Sequence, residues 1–296
     1  MGKCIMMIGL PSSGKSTYAK KNLMNDNTLY LSSDALRVEM YGFEDQMHNG
    51  EVFNELHNRL KKALKEGKDV IYDATNANRK KRMEFIKDIR GEYEVEAIMA
   101  CCPIATILER NITRVERHLP FDKLEHLIKF FEVPLEYEGF SKISLVNCGC
   151  KVGEYDNNSS IYETIKNYNQ NNPHHNKSLL GHTEEVINQL YVLGLKNIHA
   201  YDLGWFHDLG KLYTRANKED GTSSYYGHER VSAYMYFCYS SSFNEAVSKD
   251  DLTIALLISH HMAFYQNIET IKEIVGDANF ELLKILHKAD KFRSDL

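Results

Sequence analysis

Short apolar runs alternate with amphipathic stretches through the first half of the chain. Lys3–Ile8, Thr28–Ser32, Asp69–Tyr72, Glu94–Met99 and Ile143–Asn147 are apolar runs of strand length. Between them Val52, Phe53, Leu56, Leu60, Ala63 and Leu64 recur at helical spacing before Gly67, which predicts a helix and its stop. Strands alternating with helices predict an α/β domain, a parallel sheet with helices on its faces.

From Lys151 to about Pro173 the texture changes. Asn157-Asn158-Ser159-Ser160 and the stretch from Asn167 to Pro173 are rich in turn formers, which predicts a domain boundary or an exposed connector, with one short helix near Ile161–Lys166. Beyond it, Leu179–Leu193, Ile198–His207, His228–Tyr239, Leu252–His261, Ile268–Val275 and Ala278–Phe292 all carry helical periodicity. The expected organisation is an α/β domain over residues 1–150, a linker over 151–173 and an all-α domain over 174–296.

Composition agrees with a soluble globular protein: 296 residues, 43% hydrophobic and 26% charged, a length that suits about two domains. Residues 1–150 hold 22 basic and 22 acidic side chains and residues 151–296 hold 14 and 19, so the net charge of -5 sits in the second half. Neither half is a bulk cationic sleeve, and any nucleic acid must be gripped locally. Six cysteines without a CxxC pair fit free thiols in a reducing cytoplasm. The apolar run Cys4 to Leu10 is too short to span a membrane or serve as a signal peptide.

That run leads into Gly9-Leu10-Pro11-Ser12-Ser13-Gly14-Lys15-Ser16, a GxxxxGK[ST] loop between a predicted strand and a predicted helix. The glycines let backbone N–H groups wrap phosphates, Lys15 reaches the β and γ oxygens, and the Ser16 hydroxyl can ligate Mg²⁺. Gly9, Ser12, Ser13, Gly14, Lys15, Ser16 and Thr17 are therefore the candidate ATP-binding residues. The strand Thr28–Ser32 delivers Asp34 and Arg37, three apart, at its C-terminal end, where ligands sit in open α/β sheets. A carboxylate there can take a proton from an attacking hydroxyl while a guanidinium holds a phosphate; equally, Asp34 can be a helix N-cap and Arg37 a solvated charge. The strand Asp69–Tyr72 ends in Asp73-Ala74-Thr75-Asn76, with Asp73 placed like a Walker-B carboxylate and Asn76 beside it as a candidate substrate contact. The basic run Arg79-Lys80-Lys81-Arg82 reads as a solvated helix face. Within Pro103–His118, Arg110, Arg114 and Arg117 share one face of a predicted helix, either as a lid over a nucleotide or, with Glu109 and Glu116, as a salt-bridged surface.

In order, GLPSSGKST, SSDALR, GKDVIYDATNANRKKR, PIATILERNITR and EVPLEYEGFSKISLVN resemble the kinase domain of phage-type polynucleotide 5′-kinases, over about residues 1–150. The resemblance implies Lys15 and Ser16 on ATP and Mg²⁺, Asp34 as general base for a 5′-hydroxyl, Arg37 on the acceptor's phosphate, and Arg110 and Arg114 as the lid. The phage enzyme pairs this kinase with a phosphatase carrying a DxDxT motif, which does not occur here.

Most of the thirteen histidines instead fall after residue 150, in the series His175, His182, His207-Asp208, Lys211, His228, His260-His261 and Asp290. Imidazoles and carboxylates converging from several helices suit one or two divalent transition metals. The order His182, His207-Asp208, Asp290 resembles HD-family metal phosphohydrolases, with His228 and His260 fitting the extended version that holds two metals. More closely, NPHHNKSLLGHTEEV, WFHDLGKL, YYGHERVSA and LISHH are similar to the HD domain of bacterial tRNA nucleotidyltransferases. That likeness implies Asp208 as a bridging ligand, hydrolysis of 2′,3′-cyclic and terminal phosphates, and Lys211 and His175 as phosphate contacts. His260 is the preferred ligand of its doublet because it follows Leu256–Ile258 at the family's spacing, with His261 as the alternate. Lys218-Glu219-Asp220-Gly221 matches the nucleophile motif of ATP-dependent ligases but lies in a polar loop with 75 residues after it, no room for a ligase domain.

The two likenesses together imply an enzyme that heals RNA or DNA ends, acting on 5′-hydroxyl and 3′-phosphate termini ahead of a separate ligase, with no membrane partner. A small-molecule or nucleoside kinase fused to a nucleotidase, and a non-catalytic ATP-gated sensor, are the alternatives.

Overall fold

The structure, a computed structural model, describes residues 2–43, 47–114, 118–155, 159–172, 177–195, 198–243, 246–265 and 268–292. It divides into two compact units, one formed by Met1–Leu124 with Glu138–Gly149 and the other by Glu125–Tyr137 with Cys150–Leu296.

The first unit runs β1 (Cys4–Ile8), α1 (Lys15–Asn22), β2 (Thr28–Ser32), α2 (Ser33–Tyr41), α3 (Asn49–Lys65), β3 (Asp69–Asp73), α4 (Arg79–Ile89), β4 (Val95–Cys101), α5 (Ile104–Thr113), the start of α6 (Phe121–Phe130), which belongs to the second unit from Glu125 on, and β5 (Lys142–Asn147). Its five strands are all parallel, in the order β2-β3-β1-β4-β5. Strands covered on both faces read as continuous apolar runs, and β1, at the centre, is buried along its whole length. The expected strands differ from these by at most two residues at an end. Register then aligns the strand ends: Ser32 pairs with Asp73, and Asp73 with Met7, so β2, β3 and β1 deliver their C-terminal residues to one edge.

The helical stripe also folds as its spacing predicts. Val52, Leu56, Leu60, Ala63 and Leu64 are buried on α3, and each of the valine and leucine side chains stabilises the fold by roughly 1.5–3 kcal/mol. The basic run on α4 departs from expectation. Arg82 is fully buried and donates from Nε and Nη2 to the two oxygens of Glu138, both at 2.7 Å, while Arg79 lies 3.4 Å from the same carboxylate. Local sequence reads as a solvated face because the partner is 56 residues away.

The second unit is helical: α7 (Ser160–Lys166), α8 (Leu179–Val192), α9 (Ile198–Phe206), α10 (Lys211–Thr214), α11 (His228–Ser241), α12 (Lys249–His260), α13 (Ile268–Val275) and α14 (Asp277–Asp290). It is not all-α, since β6 (Ala216–Asn217) and β7 (Ser223–Ser224) form a small antiparallel pair. The ligase-like tetrapeptide is the turn between them: Gly221 N donates to Lys218 O, and Asp220 Oδ1 accepts from the N–H and hydroxyl of Thr222.

The described residues of the stretch 151–173 are not uniformly exposed. Tyr155, Ile165 and Gln170 are buried, with Tyr155 against Phe206 and Tyr239. Its turn formers mark loops, but the aromatic and apolar residues among them anchor it. Glu125–Tyr137 likewise packs into this unit, with Phe131 edge-on to Tyr234. Among the described residues no helix is long and apolar enough to cross a membrane.

Candidate active sites

The loop from Gly9 to Gly14 leaves β1 at the carboxyl edge of the sheet and enters α1 at Lys15. Gly14 takes φ 94°, a left-handed conformation that favours glycine, and Ser12 joins it at φ 65°. Such turns point successive N–H groups into one concavity, and no side chain caps α1, so its N-terminal N–H groups face the loop. Ser13 is fully buried and its hydroxyl has no partner. Lys15, Ser16 and Thr17 occupy the first turn of α1.

Asp73 ends β3, is buried, and its Oδ1 has no hydrogen-bond partner. Oδ2 accepts from the hydroxyl of Tyr30, a residue that sequence reasoning missed. Burial first, and Asp73 second, push the Tyr30 phenol well above its ordinary range, and Ser16 also interacts with that hydroxyl. Asn76 donates through Nδ2 to Met7 O at 2.7 Å, so its amide fastens the loop after β3 to β1.

On α2 the cap is Ser32, whose hydroxyl accepts from Ala35 N, and Asp34 stands inside the first turn. Arg37 is buried rather than solvated: Nη1 donates to Asp34 Oδ1 at 3.0 Å and Nη2 to Asn49 Oδ1 at 2.7 Å, with the guanidinium over the Phe53 ring. Asp34 stays half-exposed, leaving it open to a substrate.

The arginine helix is shorter than expected, because α5 stops at Thr113 with Arg114 as its C-cap. Both lid candidates nonetheless reach the phosphate loop. Arg110 Nη1 lies 3.5 Å from Ser13 O and 3.3 Å from Cys102 Sγ, and Arg114 Nη1 donates to Ser12 Oγ at 3.2 Å. Arg117 lies outside the described residues, as does His175.

In the second unit, His182 from α8, His207 and Asp208 from the turn after α9, and Asp290 from the end of α14 bring one ligand atom each within 4.8 Å of one another. His182 Nε2 is 3.0 Å from Asp290 Oδ1, 3.2 Å from His207 Nε2 and 3.3 Å from Asp208 Oδ2. The other Asp208 oxygen, Oδ1, lies 3.1 Å from His228 Nε2 and 3.8 Å from His261 Nε2, and these two nitrogens are 3.0 Å apart. Gly210 makes this approach possible: a Cβ there would sit 2.1 Å from His228 O, so α10 and α11 meet backbone to backbone.

The arrangement fits a cation by a simple test. Donors about 2.1 Å from a common centre stand roughly 3.0–3.4 Å apart in octahedral or tetrahedral geometry, which is the spacing of most of these pairs. The rings are also oriented as ligands. Nδ1 of His207, His228 and His261 each lies 2.8 Å from a backbone carbonyl, which only accepts, so Nδ1 carries the hydrogen and Nε2 faces the cluster.

His261, not the preferred His260, joins the second group. His260 directs Nε2 at the Tyr137 hydroxyl, 3.3 Å away. The α-helix ends at His260 and a 3₁₀ turn begins at His261, and that turn brings the alternate member of the doublet to the group. Lys211 is buried and its ammonium meets Asp208 Oδ2 at 2.6 Å and Gln170 Oε1 at 2.8 Å, which ties it to the shared carboxylate. Gln170 was invisible in the sequence because it lies in the turn-rich stretch.

Electrostatically the site is a dense buried cluster of opposite charges, two carboxylates against the Lys211 ammonium and the histidines. Burial opposes ionisation of Asp208, yet Lys211, His207 and His182 outweigh it and hold the carboxyl well below its usual range. Asp290 is likewise held down, against burial, by His182 and His207. Burial lowers His207, but the two aspartates lift it to about 10. Burial and the neighbouring His228 and His207 push His261 down to about 3, so it stays neutral. The first group combines two carboxylates with two imidazoles, and in the second His261 offers an uncharged nitrogen donor.

Residues 4–134 match the family model described as an AAA domain. A segment of 170 residues is 28% identical to transcription factor bHLH140 of Arabidopsis thaliana, covering 54% of this chain and 17% of that protein. Over 139 residues the chain is 30% identical to L-seryl-tRNA(Sec) kinase of Methanococcus maripaludis, 44% of this chain and 52% of that one. The chain therefore spans about half or less of the curated relatives it matches. Similar solved structures include the Pnkp1/Rnl/Hen1 RNA repair complex (TM-score 0.39, 21% identity, 43% of this chain and 42% of that one) and a gluconokinase from Sinorhizobium meliloti 1021 (TM-score 0.35, 16% identity, 49% and 82%). With its parallel sheet, its phosphate loop after the central strand and its match to the AAA-domain model, the first unit has a fold that fits P-loop kinases.

Proposed function

We propose that this chain is a bifunctional nucleic-acid end-healing enzyme, with an ATP-dependent 5′-hydroxyl kinase in about residues 1–150 and a metal-dependent phosphohydrolase of the HD type in about residues 174–296. The kinase half rests on the Asp34–Arg37 pair, 3.0 Å apart at the sheet edge where the phosphate loop emerges. Asp34 accepts the proton of the attacking hydroxyl as its oxygen bonds the γ-phosphorus and ADP leaves. Arg37, preset by Asn49 and Asp34, holds a phosphate of the acceptor. Lys15, Arg110 and Arg114 neutralise charge on the transferred group. Ser16 and Asp73 are placed to hold Mg²⁺, directly or through water. The 30% identity to a seryl-tRNA(Sec) kinase supports an acceptor that is RNA or RNA-borne.

The hydrolase half rests on Asp208, whose two oxygens face two separate groups of donors. His182, His207, Asp208 and Asp290 would hold one divalent transition metal and Asp208, His228 and His261 a second. Such ions supply a bound hydroxide at neutral pH. Lys211 fixes the bridging carboxylate, and the histidine Nδ1–H groups fix the ring orientations. Removing a 2′,3′-cyclic or terminal phosphate and adding a phosphate to the 5′-hydroxyl are complementary repairs of one RNA break, which a separate ligase would then seal in the cytoplasm.

Two assays test the halves apart. Transfer of label from ATP to a 5′-hydroxyl oligonucleotide should fall at least 100-fold in Asp34→Ala; equal labelling by variant and wild type rejects the base assignment. Hydrolysis of a 2′,3′-cyclic phosphate end should vanish in Asp208→Ala, and its persistence rejects the metal site.

A further inference from the structure

Tyr30 and Asp73 sit on neighbouring parallel strands whose register pairs Tyr30 with Ile71 and Ser32 with Asp73. Alternation therefore puts the Tyr30 and Asp73 side chains on one face of the sheet. That face is covered by α1, whose Ala19 is buried against Ile5, Met7, Ile71 and Ile98, with Tyr30 packed against the same cluster. The Lys20 ammonium lies 5.2 Å above the centre of the Tyr30 ring. The ring is thus held from two sides, and its hydroxyl meets Asp73 Oδ2 and interacts with Ser16. It touches both of the side chains placed for magnesium.

We infer that Tyr30 is a positioning residue for the magnesium site, its hydroxyl locking the Asp73 carboxylate so that one oxygen is engaged and Oδ1 is kept for the hydrated cation. The inference rests on the P-loop kinase reading of the first unit. The torsion that turns an aspartate carboxylate is soft, so a buried Asp73 without Tyr30 could swing to another donor. A buried carboxylate oxygen without a partner is costly, and Asp73 Oδ1 is such an oxygen. A magnesium-bound water would satisfy it. Partners that orient a ligand in this way are worth about 10- to 100-fold in metal affinity.

Tyr30→Phe keeps the ring and its packing and removes only the hydroxyl. With full-length protein and saturating ADP, Mn²⁺ binding measured by the electron paramagnetic resonance of free Mn²⁺ should weaken about tenfold. ADP binding in EDTA should be unchanged and the melting temperature should fall little. Because the effect runs through one carboxylate, Tyr30→Phe should add nothing further in an Asp73→Asn background. Mn²⁺ affinity within twofold of wild type, or fully additive losses in the double variant, overturns the inference. If wild-type protein binds no ADP, the P-loop reading itself fails and takes this inference with it.

Discussion

The Nε2 atoms of His228 and His261 face each other at 3.0 Å, each ring having given its Nδ1 hydrogen to a main-chain carbonyl. Two imidazole lone pairs at that separation repel unless a proton or a metal ion stands between them. A divalent metal bound there and at the neighbouring group should copurify with the protein or bind on addition. His261→Ala should lose about one equivalent of metal and at least 100-fold of phosphohydrolase activity. His260→Ala, whose ring faces Tyr137, should keep its metal content. Metal analysis by mass spectrometry checks both; loss of metal from His260→Ala alone would reverse the assignment.

Arg82 and Glu138 form a buried bidentate pair in the first unit. Removing one charge of such a pair leaves the other buried and uncompensated, so Glu138→Gln should cost about 3–5 kcal/mol. Lys61 and Asp88, also an ion pair but half-exposed, provide the contrast: Asp88→Asn should cost about 0–1 kcal/mol. Denaturant melts of the two variants measure the difference, and equal effects would show that burial does not govern the Arg82 pair.

Asp202, on α9, is raised to about 6, first by burial and then by the Asp251 carboxylate. Its folded value lies above its unfolded one, so the native state holds a proton that the unfolded chain releases. The stability this contributes is fully present below the unfolded value, about 4, and is lost as pH rises through about 6. Asp202→Asn should therefore raise the melting temperature more at about pH 7.5 than at about pH 5. An equal change at both would remove Asp202 as a cause of pH-dependent stability.

Periodicity carried most of the fold into view. The five strands were legible because a doubly covered parallel sheet needs uninterrupted apolar runs, and α3 because its buried stripe repeats every turn. The phosphate loop was legible because wrapping phosphates requires glycines and a Lys-Ser pair at fixed spacing between a strand and a helix. What stayed hidden depends on distant partners. Arg82 reads as a surface charge until Glu138 is brought to it, and Tyr30 reads as a strand aromatic until β3 places Asp73 beside it. Tyr155, Ile165 and Gln170 were masked by the asparagines and serines around them. The choice between His260 and His261 turned on where an α-helix tightens into a 3₁₀ turn, a one-residue detail that spacing does not encode.

The kinase assignment is the claim on which the end-healing account depends, and acceptor competition tests it most directly. Purified full-length protein, Mg²⁺ and γ-labelled ATP would be offered 5′-hydroxyl RNA, nucleosides and small polyols side by side. The account predicts label on the RNA 5′ end, with transfer to nucleosides and polyols at least 100-fold slower. Rapid labelling of a nucleoside or polyol with none on RNA would contradict it, as would ATP binding without transfer to any acceptor.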